Sequence, residues 1–303
     1  MTRRTIAALG AVYLIWGSTY LAIKYMVIGF PPLLGTGIRF LVAGAVLYLF
    51  SAHREARLTF GQWWMAAQLG ALLIVGGTGM VTVAESTGIG SGLAATAVAA
   101  MPLWAGLIAG VLGKWPNRWE WWGLAVGMAG VVLLGLEGDF STNPTGAIIM
   151  LVAPISWALG SIRSSRASLP SGMAVIAAEM LTGGGLLMAI GISTGEHIAS
   201  TPPLEAWLGL AYLTVFGSIV AFSAYMYLLR RVRPALATSY AYVNPVVAVF
   251  LGLTIGSESL TGEGLIALPL ILIGVGLITA GRTKAARPAP NEQRVPAESL
   301  LET

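Results

Sequence analysis

Ten stretches of the chain are apolar almost without interruption, and polar or charged residues gather in the short segments between them. A helix of about 20 apolar residues crosses a bilayer core of roughly 30 Å. The stretches meet that length near Ile6–Val27, Leu33–Ala52, Trp64–Glu85, Ser91–Gly113, Trp119–Glu137, Gly146–Ser165, Met173–Ser193, Ala206–Leu229, Ala235–Gly256 and Gly264–Gly281. Backbone polar groups find no partners in hydrocarbon, so each stretch is expected as a helix. The pattern predicts an all-α integral membrane protein with ten transmembrane helices. The first stretch starts early and lacks a small-residue cleavage site, so it reads as a retained helix. After Gly281 the sequence RTKAARPAPNEQRVPAESLLET is polar and proline-rich, and residues 283–303 are expected as a disordered cytoplasmic tail.

Two of the stretches break their own hydrogen-bond ladder in the same way. Leu93–Ala109 reads LAATAVAAMPLWAGLIA and Leu236–Gly252 reads LATSYAYVNPVVAVFLG. Leu93 and Leu236 are 143 residues apart, and the same spacing relates Pro102 to Pro245, Gly113 to Gly256 and Glu120 to Glu263. The chain reads as two copies of one unit, residues 1–141 and 142–282. Five spans per copy is an odd number, so the second copy must insert upside down. Two inverted five-helix repeats with a site near the midplane are an architecture of secondary transporters. A proline inside a span frees a carbonyl, which hydrocarbon tolerates only beside protein or a wet cavity.

Lysine and arginine set the orientation. Of 17 basic residues, only Lys24 and Arg39 fall inside spans. The others sit at every second connection: Arg3 and Arg4, Arg54 and Arg57, Lys114 and Arg118, Arg163 and Arg166, Arg230 to Arg233, and Arg282 to Arg294. The alternate connections, including EGDFSTNPT and STGEHIASTPPLE, carry none. By the positive-inside rule both termini are expected in the cytoplasm.

Composition narrows the function. With 56% hydrophobic and 10% charged residues, the chain lies far from soluble globules, which carry about 25% charge. The net charge of +4 belongs to span ends and implies no nucleic acid. There is no cysteine, and His53 and His197 fall in different connections, so no metal or cofactor is expected.

Intramembrane polar and aromatic residues are the candidates for chemistry. Trp16, Tyr20 and Lys24 recur at four-residue spacing on one face of the first span, with Tyr13 one turn earlier; Trp157 and Ser161 repeat the theme in the sixth. Trp63, Trp64, Trp115, Trp119, Trp121, Trp122 and Trp207 fall at span ends, as an aromatic belt does. Trp16, Trp104 and Trp157 remain, either packing helices or lining a largely apolar cavity. Their placement in both halves favours the cavity. Asn244, beside Pro245, either bonds a freed carbonyl or meets substrate. Arg39 lies about two turns into the second span, where charge is costly, so it needs a partner such as Glu85 or a substrate carboxylate. Lys24 is near enough to the outer end to snorkel. Glu179 mirrors Arg39 in the seventh span, at the opposite depth, so the two are not expected to pair. Gly123, Gly127 and Gly130, and Gly274 and Gly276, read as close-packing faces. Gly76, Gly77 and Gly79 lie mid-membrane without the Gly-Lys-Ser/Thr of a phosphate loop.

WGSTYLAIK in the first span, the arginine early in the second, the two proline-bearing helices and IGSESLTGEGLIALPLILIGVGLI together resemble the EamA-type members of the drug/metabolite transporter superfamily. The resemblance spans about residues 6–281 and is similar to exporters of aromatic and other amino acids. It implies spans one to four and six to nine around a central cavity, with five and ten outside. The family often has Glu-Pro in its ninth helix, where this chain has Asn244-Pro245, and Gly-Glu where Gly256 to Glu258 read Gly-Ser-Glu. The expectation is a non-enzymatic secondary transporter of a bacterial inner membrane, exporting aromatic and other neutral amino acids or similar metabolites by alternating access. Trp16, Tyr20, Trp104, Trp157, Tyr240 and Asn244 would line the cavity, and Arg39 would meet a carboxylate. The partners would be the bilayer and a small-molecule substrate; monomer and homodimer both stay open. A multidrug cation exporter would want an acid in mid-span one, and WGSTY has none. A nucleotide-sugar or phosphate carrier would want several cations, and a membrane-embedded enzyme a nucleophile with its base.

Overall fold

The computed structural model describes residues 2–52, 54–55, 57–113, 115, 117–134, 143–170, 172–231, 240–257 and 262–285. His53, Lys114, Arg233, Leu236, Glu258 and the expected tail beyond 285 lie outside them. The described residues form ten helices and no strand: α1 (Arg3–Met26), α2 (Pro32–Ser51), α3 (Phe60–Ser86), α4 in two segments (Ser91–Val98 and Met101–Val111) and α5 (Arg118–Leu134). The second set is α6 (Pro144–Arg166), α7 (Met173–Ser193), α8 (Leu204–Tyr212, Leu213–Val220 and Ala221–Arg231 in succession), α9 (Tyr240–Thr254) and α10 (Gly262–Ala285). Seven helices are long and apolar enough to cross a membrane, and α9 and α10 contain the shorter apolar runs Val243–Thr254 and Leu265–Gly274. The ten expected spans are therefore the ten helices observed.

Helix ends follow local chemistry. Thr59 and Gln62 form a reciprocal capping box at the start of α3, and Asn143 caps α6 through Gly146 N–H, with Pro144 opening the helix. Ser-Thr-Gly closes both α3 and α7, and Gly88 and Gly195 there adopt φ of 100° and 84°, the left-handed region glycine occupies without strain.

The two repeats pack most extensively along two helix pairs. Gly37 and Gly44 on α2 and Gly184 on α7 face the partner helix so closely that none has room for a Cβ. On the other side, Gly274 of α10 lies against the backbone of Gly123 and Gly127 in α5. Small residues let membrane helices approach to backbone contact. Gly276 faces open space, so it is not part of that crossing.

A matched pair of carboxylates ties the repeats at both ends. Glu55, between α2 and α3, accepts from Met173 and Ala174 N–H at 2.9 Å each, capping α7. Glu196, between α7 and α8, accepts from Leu33 and Leu34 N–H at 3.2 and 2.8 Å, capping α2. Each acid fills the unpaired donors and positive end of a helix in the other repeat. Hydrogen bonds to charged groups contribute about 1.5–3 kcal/mol. Glu196→Ala and Glu55→Ala are each expected to lower stability by about that amount, read as thermal midpoints in detergent. Midpoints unchanged in both would mean the ties are solvated and weak.

Two further features follow the repeat, one symmetric and one not. Gly70–Gly79 in α3 and Leu213–Val220 in α8 are both wound as π-helix, and their starts are 143 residues apart. Such widened turns re-aim side chains and occur often at functional sites. By contrast, α4 stops at Val98 and restarts at Met101, whereas α9 runs unbroken through Pro245. Pro102 has no amide to bond the Val98 carbonyl, and that is where α4 ends. Pro245 stands 143 residues later inside a continuous helix.

Candidate functional site

A cavity lies among α1, α2, α3, α4, α6, α8 and α9, and six of the seven expected site residues line it: Trp16, Tyr20, Arg39, Trp157, Tyr240 and Asn244. Among the described residues α5 and α10 contribute nothing to its wall, and neither does α7, which the resemblance had placed around it. The space open to water centres is about 90 Å³. One water needs roughly 10–15 Å³ by that measure, so the cavity suits a small solute.

One wall is aromatic. Trp16 stands at its centre, with ring centroids 4.8 Å from Tyr240, 5.1 Å from Tyr225, 5.4 Å from Phe222 and 6.4 Å from Trp157. The contacts to Tyr240, Phe222 and Trp157 are edge-to-face, the arrangement the ring quadrupole prefers. Trp16 Nε1 donates to Gly217 C=O at 3.1 Å, and the Tyr240 ring meets Tyr225 edge-to-face at 5.6 Å. Trp16 is thus fixed in place by a partner outside the cavity lining.

The opposite pole is cationic. Arg39 is only 3% exposed; its Nε donates to Ser218 Oγ at 2.8 Å, and its guanidinium lies 4.7 Å from the Phe40 ring centroid. Among the described residues it pairs with no carboxylate, so the expected pairing with Glu85 is not what holds it. Four of its five N–H donors remain for the cavity. Asn244 is 5% exposed, and its buried Oδ1 has no hydrogen-bond partner among the described residues.

Both widened turns serve this site. In α3, a Cβ on Gly77 would collide with the Trp157 ring, so glycine admits the tryptophan. In α8, a Cβ on Gly217 would lie 2.9 Å from Arg39 Nη2, so glycine admits the guanidinium. Ser218 and Phe222 were not singled out from the sequence, where a serine and a phenylalanine in an apolar stretch carry no mark of a site.

One expectation resolves differently, and Lys24 and Glu179 stand apart from the cavity. Trp104 does not reach the cavity: it packs, half-buried, against the cluster containing Leu103, Leu124 and Met150, and its Nε1 has no partner among the described residues. Lys24 donates to Gly256 C=O at 2.5 Å, beyond the last turn of α9, beside Tyr25 OH on Ile255 C=O. It ties α1 to the negative end of α9. Glu179 lies on α7 away from the cavity, so its mirror relation to Arg39 has no counterpart in the site. The belt tryptophans Trp64, Trp115, Trp121, Trp122 and Trp207 are all exposed, as residues facing lipid headgroups should be.

The sequence matches the EamA-like transporter family twice, over residues 4–136 and 144–280. It is 47% identical over 276 residues to the "Uncharacterized inner membrane transporter YedA" of Escherichia coli (strain K12), covering 91% of this chain and 90% of that protein. It is 26% identical to the "Probable amino-acid metabolite efflux pump" of Salmonella typhimurium, covering 87% and 91%. A solved crystal structure superposes with a TM-score of 0.65 over 95% of this chain and 100% of its own, at 21% identity, a likeness of fold. With two family units, ten helices and a central cavity, the chain belongs to the EamA-like transporter family and is a membrane transporter.

Proposed function

We propose that the protein exports small carboxylate-bearing metabolites, aromatic and other neutral amino acids among them, across the inner membrane by alternating access. Arg39 carries the reading: it is a buried cation at a membrane cavity, with no acid partner among the described residues. A buried charge is retained at such depth where it works on a substrate or pathway. A carboxylate would complete its bidentate donor fork. The ammonium of an amino acid would find Asn244 Oδ1 and the faces of the tryptophans, and an apolar side chain the aromatic wall. A cationic drug would meet a repelling charge. A nucleotide sugar would need more volume and more cations. Efflux and the amino-acid class are supported by the printed name of the Salmonella relative. In this reading residues 1–141 and 142–282 are the two units that exchange conformations, and both termini lie in the cytoplasm, which the distribution of basic residues supports.

Counterflow in proteoliposomes with a panel of amino acids tests the assignment of the wall. Trp16→Ala and Trp157→Ala are expected to slow phenylalanine, tryptophan and leucine by about tenfold or more, since a buried aromatic contributes mainly through its area. Alanine and threonine should be slowed far less. An equal loss for all substrates at normal membrane levels would make both residues packing groups.

A further inference from the structure

A second hollow lies between α3, α4 and α6, and it shares no lining residue with the central cavity. It is larger, about 390 Å³. Its walls are hydrocarbon, Leu72 from α3, Ile108 from α4 with Leu112 just past its end, and Leu159 from α6, and its only charged members among the described residues are Arg163 and Arg166. Leu112 and Leu159 are 48% and 42% exposed, so the hollow opens onto the bilayer, not inward. The two arginines occupy the last turn of α6, both exposed, and Arg163 is held over the opening by a hydrogen bond from Nη2 to Gln68 Oε1.

These features name an occupant. Water needs two to four polar partners and finds none along the apolar wall, so a hydrocarbon chain fills it better. Two guanidinium groups with no acid beside them among the described residues suit a phosphate, which each can hold with paired N–H donors. A molecule that is acyl chain at one end and anionic phosphate at the other is a phospholipid. We propose that this crevice is a binding site for one anionic phospholipid of the leaflet that faces the α6 C-terminus. The basic residues assign that leaflet to the cytoplasmic side. The inference stands apart from the choice of transported substrate, since no residue of the central cavity takes part.

Native mass spectrometry of the intact purified transporter, titrated with phosphatidylglycerol or phosphatidylcholine of the same chains, tests it. Each basic residue near anionic lipid contributes about 1 kcal/mol, so two give a preference for phosphatidylglycerol of about 30-fold. The double variant Arg163→Gln, Arg166→Gln is expected to keep weak binding of both lipids and lose the preference. Leu159→Trp, which fills the hollow and keeps the charges, should weaken retention of both. Soluble glycerol phosphate should not compete, because it lacks the chain. Equal binding of the two lipids by the unaltered protein would overturn the proposal. So would a preference that survives loss of both arginines, binding untouched by Leu159→Trp, or competition by glycerol phosphate.

Discussion

Arg39→Ala is expected to yield an inserted, folded protein that moves carboxylate-bearing substrates about 10- to 150-fold more slowly, the loss of one charge-assisted interaction of roughly 1.5–3 kcal/mol. The reason is the lopsided setting of this side chain. Its Nε bonds a neutral serine hydroxyl, and no protein carboxylate answers its charge among the described residues. Desolvating such a cation costs folding energy, so removing it should leave thermal stability unchanged or raised. A structural ion pair would behave in the opposite way, losing about 3–5 kcal/mol when one partner goes. A double-mutant cycle with Glu85 should be additive within about 0.5 kcal/mol, as for residues that share no contact. Arg39→Lys should restore part of the rate, since a point charge attracts a carboxylate but lacks the planar fork. Ser218→Ala should cost only a few-fold, because it aims the guanidinium without meeting substrate. A stable Arg39→Ala protein with undiminished transport of carboxylates would remove the residue from the site.

The second large effect is expected at the paired prolines. One sequence motif, repeated 143 residues apart, is broken in α4 and continuous in α9 within one structure. Two copies of a unit related by inversion can exchange conformations, and such exchange would mend α4 and open α9 just before Pro245. Both segments border the cavity, through Ala99 and Met101 on one side and Ala241 and Asn244 on the other. The break would therefore move from one face of the substrate to the other. Pro102→Ala restores the missing donor in α4 and favours the mended helix by about 3 kcal/mol, roughly 150-fold in the equilibrium. Pro245→Ala pushes the same equilibrium the other way. Amide hydrogen exchange is expected to be faster at Met101, the first residue after the break, than at Asn244, its counterpart in the continuous α9, in the unaltered protein. Pro102→Ala should reverse that order, and both variants should turn over at least about tenfold more slowly. Exchange that stays the same in both variants would mean the break is fixed.

Much of this was legible in the residues, for identifiable reasons. Hydrocarbon leaves a chain few options, so Ile6–Val27 and its nine counterparts read directly as helices, and the 143-residue spacing with an odd span count gave the inversion. Trp16, Tyr20, Arg39, Trp157, Tyr240 and Asn244 were visible because large polar or charged groups inside spans are costly. Ser218 was not, since a serine in an apolar helix is common and only the crossing of α2 with α8 gives it Arg39. Trp104 was misplaced because lying inside a span, as Trp16 and Trp157 do, does not tell which side of α4 meets the cavity. The π-helical turns leave no compositional mark. Glu55 and Glu196 look like any loop acid until the fold brings each to a helix start in the other repeat.

Paired substrates give the most direct test of the central claim, that the cavity recognises a carboxylate at Arg39 beside an aromatic wall. Proteoliposomes loaded with labelled phenylalanine would be challenged from outside with phenylalanine, phenethylamine, 3-phenylpropanoate or choline. Phenylalanine should drive counterflow and 3-phenylpropanoate should drive or inhibit it, whereas phenethylamine and choline should do neither. The carboxylate effect should vanish in Arg39→Ala. Counterflow driven equally well by phenethylamine, or by choline alone, would contradict the account.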